Sequence, residues 1–188
     1  MKSIFDIRSE VVRLVEARRC HFCSFRRAAN YREGRGTRKK KHLRQFKTEK
    51  WLQAELVHHF SSNGIDVIPE YPDRKWDLCI EKPNGEGNFL LAIKCLADSD
   101  QSAKGDFDGV SGVGKDIEAV SKHPSSQAAL VLILPLGAND RKRTNYTKKM
   151  LEYIEQRDSR KTLALKKDAI LFAPNSDEGV WVVWIEPK

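Results

Sequence analysis

The stretch "AALVLILPL", residues 128–136, contains no polar side chain. It is too short to cross a bilayer and has the length of a strand. Successive side chains of a strand point to opposite faces, so a strand apolar at every position must be covered on both. The chain therefore has to place layers on either side of a sheet, and its other segments supply them. Residues 3–18 set Ile4, Ile7, Val11, Leu14 and Val15 at helical spacing. "TEKWLQAELVHHF" reads as a helix with Thr48 as N-cap and Glu49 in its first turn. Residues 113–122 and "TNYTKKMLEYIEQR", with Tyr146, Met150 and Ile154 on one stripe, read as two more. "IDVIPEY", "KWDLCIEK", "NFLLAIKCL", "DAILFAP" and "VWVVWIE" read as strands, the second and third joined by the turn "PNGEG". From residue 48 on, the expected order is α, β-β-β, α, β, α, β-β. That is an α/β (α+β) chain with a mixed central sheet flanked by helices and no internal repeat.

Charge is unevenly spread. Residues 18–50 hold thirteen Lys or Arg and two Glu, a local charge of +11, whereas the other 155 residues sum to −3. No sustained period runs through 19–47, so this part reads as a loop or arm. The division expected is 1–47, N-terminal helix and basic arm, and 48–188, the α/β domain. A run as dense as "RKKKHLRQFK" points to a polyanion, and nucleic acid is the expected partner, though a basic run does not tell DNA from RNA. Arg38, Lys39, Lys40, Lys41, Arg44 and Lys47 would grip its backbone. The plainer alternative is a solvated tail. No apolar stretch is long enough for a membrane span, and no signal-peptide core is evident. Cys79 and Cys95 lie in apolar strands and read as small core residues. Cys20 and Cys23 form a C-x-x-C with His21 and His42 nearby, but a second ligand pair at zinc spacing is missing. With no disulfide framework, a reducing cytoplasm is the expected location.

One residue breaks the apolar pattern of "NFLLAIKCL". Lys94 stands among side chains built for burial, and an ammonium there needs anions. Alternation puts Ala92 and Lys94 on one face of their strand, and Asp77 with Cys79 and Glu81 on one face of the preceding strand. An aspartate and a lysine can thus project to the same side of a hairpin. The plain reading is a cross-strand ion pair; the functional one is a carboxylate that holds a divalent cation beside a lysine that handles water or phosphate.

This layout resembles the PD-(D/E)xK nuclease superfamily, the restriction-endonuclease-like fold, over roughly residues 48–136. The motif's aspartate matches Asp77 in "KWDLCI", preferred over Asp73 of the literal "Pro72-Asp73", and its (D/E)xK falls on Ala92-Ile93-Lys94. The helix before the meander offers Glu55, with Glu49 as a weaker choice. The resemblance implies a metal-dependent DNA endonuclease that hydrolyses phosphodiester bonds. Mg²⁺ or Mn²⁺ would be held by Asp77, the carboxylate expected at 92, the backbone carbonyl of Ile93 and Glu55. Lys94 would orient or deprotonate the attacking water and stabilise charge on phosphorus.

Ala92 departs from the motif, since alanine cannot coordinate a cation. Three explanations stay open: an inactivated nuclease, a natural member that binds without cutting, or an acid elsewhere that has taken over. As written, the chain is expected to be catalytically weakened, with the metal weakly bound or absent. The alternatives in function are a non-catalytic nucleic-acid-binding module and an RNA-directed nuclease toxin. Partners raised by the resemblance are a second copy, because cutting two strands takes two sites, and an inhibitor or immunity protein.

"GVSGVGKD" (109–116) nearly spells a P-loop, but Asp116 stands where Ser or Thr should bind Mg²⁺, and the preceding stretch is polar rather than a buried strand. It reads instead as a glycine-rich loop entering a helix, which argues against a nucleotide triphosphatase.

Overall fold

The computed structural model describes residues 6–23, 39–70, 76–81, 87–97, 102–109, 112–124, 127–137, 141–158 and 160–188, with the backbone alone for 39–47. Its elements are α1 (Ile7–Ala17), α2 (Lys39–Ser62), β1 (Val67–Pro69), β2 (Leu78–Glu81), β3 (Asn88–Cys95), α3 (Ala103–Asp108), α4 (Val113–Val120), β4 (Ala128–Gly137), α5 (Arg141–Arg157), β5 (Leu163–Leu171) and β6 (Glu178–Pro187). The six strands form one mixed sheet in the order β1-β2-β3-β4-β6-β5. All neighbours are antiparallel except β3 and β4, which run parallel with Lys94 opposite Leu132.

The apolar run becomes β4, the third strand from one edge and the fourth from the other, and its alternation divides the core. Ala129, Val131 and Ile133 join a cluster with Leu52, Leu56 and Phe60 of α2 and Ile7, Val11, Leu14 and Val15 of α1. Leu130, Leu132 and Leu134 join the cluster on the opposite face with Val113, Ile117 and Val120 of α4 and Met150 and Ile154 of α5. Each face of the strand is thus buried under helices, as an unbroken apolar strand demands. Cys79 and Cys95 are buried, 2% and 1% exposed, and act as small apolar fillers.

Four local expectations change. Thr48 does not cap a helix: α2 begins at Lys39, and Thr48 lies inside it, 2% exposed. Most of residues 39–47 are straight-chain side chains of good helix propensity, so a dense charge run does not stop the helix from extending upstream. Residues 39–47 are accordingly helical rather than an irregular arm, and 19–23 make a further helical turn. The stretch 98–112, read as loop, contains α3, whose N-cap Ser102 accepts a hydrogen bond from Gly105 N–H at 3.1 Å. β5 starts at Leu163, five residues before "DAILFAP", with Leu163 turned into the core. Arg38, Asp73 and most of the "PNGEG" turn lie outside the described residues.

Candidate functional site

β2 and β3 pair as the hairpin reading requires, with Leu78 opposite Leu91. One step further, Asp77 lies across from Ala92. The Asp77 backbone N–H donates to Leu91 O at 3.0 Å, and its Oδ2 accepts from Ile93 N–H at 2.7 Å. The side chain thereby extends the ladder past the end of β2. From the α2 side, Gln53 Nε2 donates to Asp77 O at 2.7 Å, and Lys50 Nζ donates to Gln53 Oε1 at 2.9 Å and to Glu70.

Lys94, two residues beyond Ala92 on the same face, meets two carboxylates: Glu49 Oε1 at 3.5 Å and Asp116 Oδ2 at 3.6 Å. Asp77 adds its charge to theirs. All three ion-pairing side chains are less than one-fifth exposed. Glu49 also accepts a long hydrogen bond from Cys95 N–H, 3.5 Å. The anions that Lys94 needs therefore come from a helix on each side of the sheet, α2 and α4, and from the neighbouring strand.

Burial governs the protonation of this group. It lowers the Lys94 ammonium, but Glu49, Asp116 and Asp77 together outweigh it and hold the pKa above the ordinary value. For Glu49, burial raises the carboxyl more than Lys94 lowers it, and Asp77 and Asp116 raise it further. Asp77 is raised by burial despite the Ile93 N–H bond and Lys94. Asp116 goes furthest, pushed up to about 6 by burial and, secondarily, by Asp77 against the pull of Lys94. Among the described residues no hydrogen-bond partner lies within 3.5 Å of its buried Oδ2, the Lys94 ammonium standing just beyond at 3.6 Å.

The sequence-derived set is brought together in part. Asp77, Ala92, Ile93 and Lys94 converge. Glu55 does not join them: its Oε2 takes the Arg18 Nε–H at 2.7 Å. Glu55 shares its helix face with His59, which pairs with Glu10 at 2.8 Å, so that face looks to α1. The 49/53/56/60 face looks to the sheet, which is why Glu49 reaches Lys94 and Glu55 cannot. Ile93 meets Asp77 through its N–H. Lys39, Lys40, Lys41, Arg44 and Lys47 fall in the first turns of α2, where only the backbone is described.

Asp116 is the residue the motif reading passed over. A signal existed, because 113, 116, 117 and 120 form the inward stripe of α4, and an acid on a buried stripe is unusual. The stretch 109–116 is no P-loop: α3, not a strand, precedes it, and Gly112 caps α4.

A hard divalent cation takes about six oxygen ligands at roughly 2.0–2.1 Å. Position 92 offers a methyl group, one oxygen of Asp77 is committed to Ile93 N–H, and Glu49 and Asp116 are turned to an ammonium. Among the described residues no three Asp, Glu, His or Cys side chains gather closely enough to hold a metal. The residues as they stand do not fit the ion. Lys94 supplies the positive charge at their centre. Among the described residues no helix is long and apolar enough to cross a membrane.

Comparison with known proteins returns no matching family model, no matching curated protein and no matching solved structure.

Proposed function

We propose that this chain is a DNA endonuclease of the PD-(D/E)xK type, built on a restriction-endonuclease-like core and disabled by the loss of a carboxylate at position 92. The observation that carries the reading is Asp77 lying across from Ala92, with Lys94 two residues on along the same face. A glutamate at 92 would stand beside Asp77 and next to the lysine, at the end of the sheet where β3 and β4 finish in parallel. The order of helix, antiparallel three-stranded meander, helix and parallel strand supports the same core.

In this reading Lys94 is the group that meets the scissile phosphate. Glu49 and Asp116 hold its ammonium charged and aimed, and Gln53 fixes the Asp77 backbone. Binding without cleavage is the second reading, favoured by the engagement of Lys94 with two carboxylates and by the poor fit of the site to a divalent ion.

Plasmid nicking with Mg²⁺ or Mn²⁺ separates the two. Ala92→Glu is expected to nick, and Ala92→Glu combined with Lys94→Ala to lose that activity by about 100-fold or more. If every version binds DNA and none nicks it, the nuclease reading fails and the binding module stands.

A further inference from the structure

α5 opens with "RKRTNYTKK", residues 141–149, which carry five basic side chains and no acid. This is not a sample of a generally basic surface, because outside residues 18–50 the chain is net acidic. Arg141, Lys142, Lys148 and Lys149 are all exposed, while Thr147, Met150 and Ile154 face the core. Lys148 pairs with Glu152, one turn on at 4.0 Å, an exposed pair of little worth.

The charge is also placed against the helix's own field. The N-terminus of a helix carries partial positive charge and is stabilised by acids, yet the first turn of α5 has none and opens with three cations, Arg141, Lys142 and Arg143. Folding alone favours the opposite arrangement. An anion bound at this turn reverses the sign of the interaction, because both the dipole and the side chains then attract it.

Position ties the patch to the Lys94 end of the sheet. β4 ends at Gly137 on the side where β3 ends at Cys95, and Thr144 and Thr147 close α5 onto that end through Gly137 O and Pro135 O at 2.8 and 2.7 Å. Tyr146 donates to Asp106 Oδ2 at 2.6 Å, joining α5 to α3, the helix that follows the Lys94 strand.

We infer that the N-terminal half of α5 is a DNA-backbone contact surface, on which Arg141, Lys148 and Lys149 hold phosphates flanking the Lys94 site. It rests on the nucleic-acid reading above and adds a second contact to the basic turns of α2. Such contacts position a duplex without reading its sequence.

The test is the salt dependence of binding to a short labelled duplex of arbitrary sequence. The unaltered chain is compared with Arg141→Glu/Lys148→Gln/Lys149→Gln, and with Lys167→Glu/Lys188→Glu, which removes the same charge from β5 and the last residue. Each lost phosphate contact lowers the log–log slope by about 0.9, so the triple variant should fall by about 2 to 3 and the control far less. Arg141→Glu alone should weaken binding while leaving the melting temperature unchanged or higher, since it suits the helix dipole. Equal slopes in the triple variant and the control overturn the inference and leave the nuclease reading intact. Failure of the unaltered chain to bind DNA overturns both, as does binding to anionic lipid vesicles in place of the duplex.

Discussion

Burial pushes the Asp116 carboxyl up to about 6 although Lys94 lies beside it, and this has a consequence for stability. In the unfolded chain the same carboxyl loses its proton near 3.8. Between these values the folded state holds a proton that the unfolded state has released, so stability falls as pH rises through that window. Glu49 and Asp77, also raised, act with the same sign. Asp116→Asn removes one such group. In urea melts, its stability relative to the parent should improve from pH 4 to about 6.5, by at most about 3 kcal/mol. A difference that stays flat with pH would mean that Asp116 is not raised. Lys94 could be read from the sequence as a cation needing partners, because a lysine in an apolar strand has few other uses. Which acids would answer could not: Glu49 and Asp116 come from helices 45 and 22 residues away in sequence. Only the packing of α2 and α4 against the sheet selects them over Glu55.

At the scale of elements, the corner between α3 and α4 sets where Asp116 stands. Gly112 begins α4 so close to α3 that a Cβ there would come within 2.5 Å of Phe107 O and 2.8 Å of Asp106 O. Backbone atoms cannot yield as a flexible side chain can, so Gly112→Ala must open the corner. It should cost about 1 to 3 kcal/mol and weaken the Asp116–Lys94 contact, visible as a loss of stability in urea melts. An unchanged melt would show that the corner adapts. The periodic elements were legible: α1, the core of α2, β2, β3, β4, α4 and β6 all announce themselves by spacing. α3 did not, since its six residues include a glycine and too few apolar positions for a period. The start of β5 was hidden because Lys166 and Lys167 interrupt its alternation.

Across the whole molecule, the sheet separates two clusters and α1 belongs to one of them. Val11 and Val15 are fully buried beside α2 and the sheet, and Arg8 of α1 pairs with Asp168 of β5. Val11→Ala should therefore lower the main unfolding transition, by about 2 kcal/mol, and leave it single. A separate early melt of α1 would contradict this. The fold class could be read from β4 alone, because an apolar strand forces two covering layers; the strand order could not, since the parallel pairing of β3 with β4 depends on where α3 and α4 pack.

The two outer strands of the sheet have a consequence for how this protein meets others. β1 is three residues long and ends on Pro69, which has no N–H to offer a newcomer. β5, at the opposite edge, displays Lys166 and Lys167, and Arg8 of α1 reaches across to it. Short edges, proline and lysine all discourage a further strand from docking. Growth of the sheet by strand addition is thus disfavoured at both edges, and crowding should draw few copies into ribbons or fibrils. Self-assembly, where it occurs, is left to helix faces, whose contacts are side-chain specific and reversible.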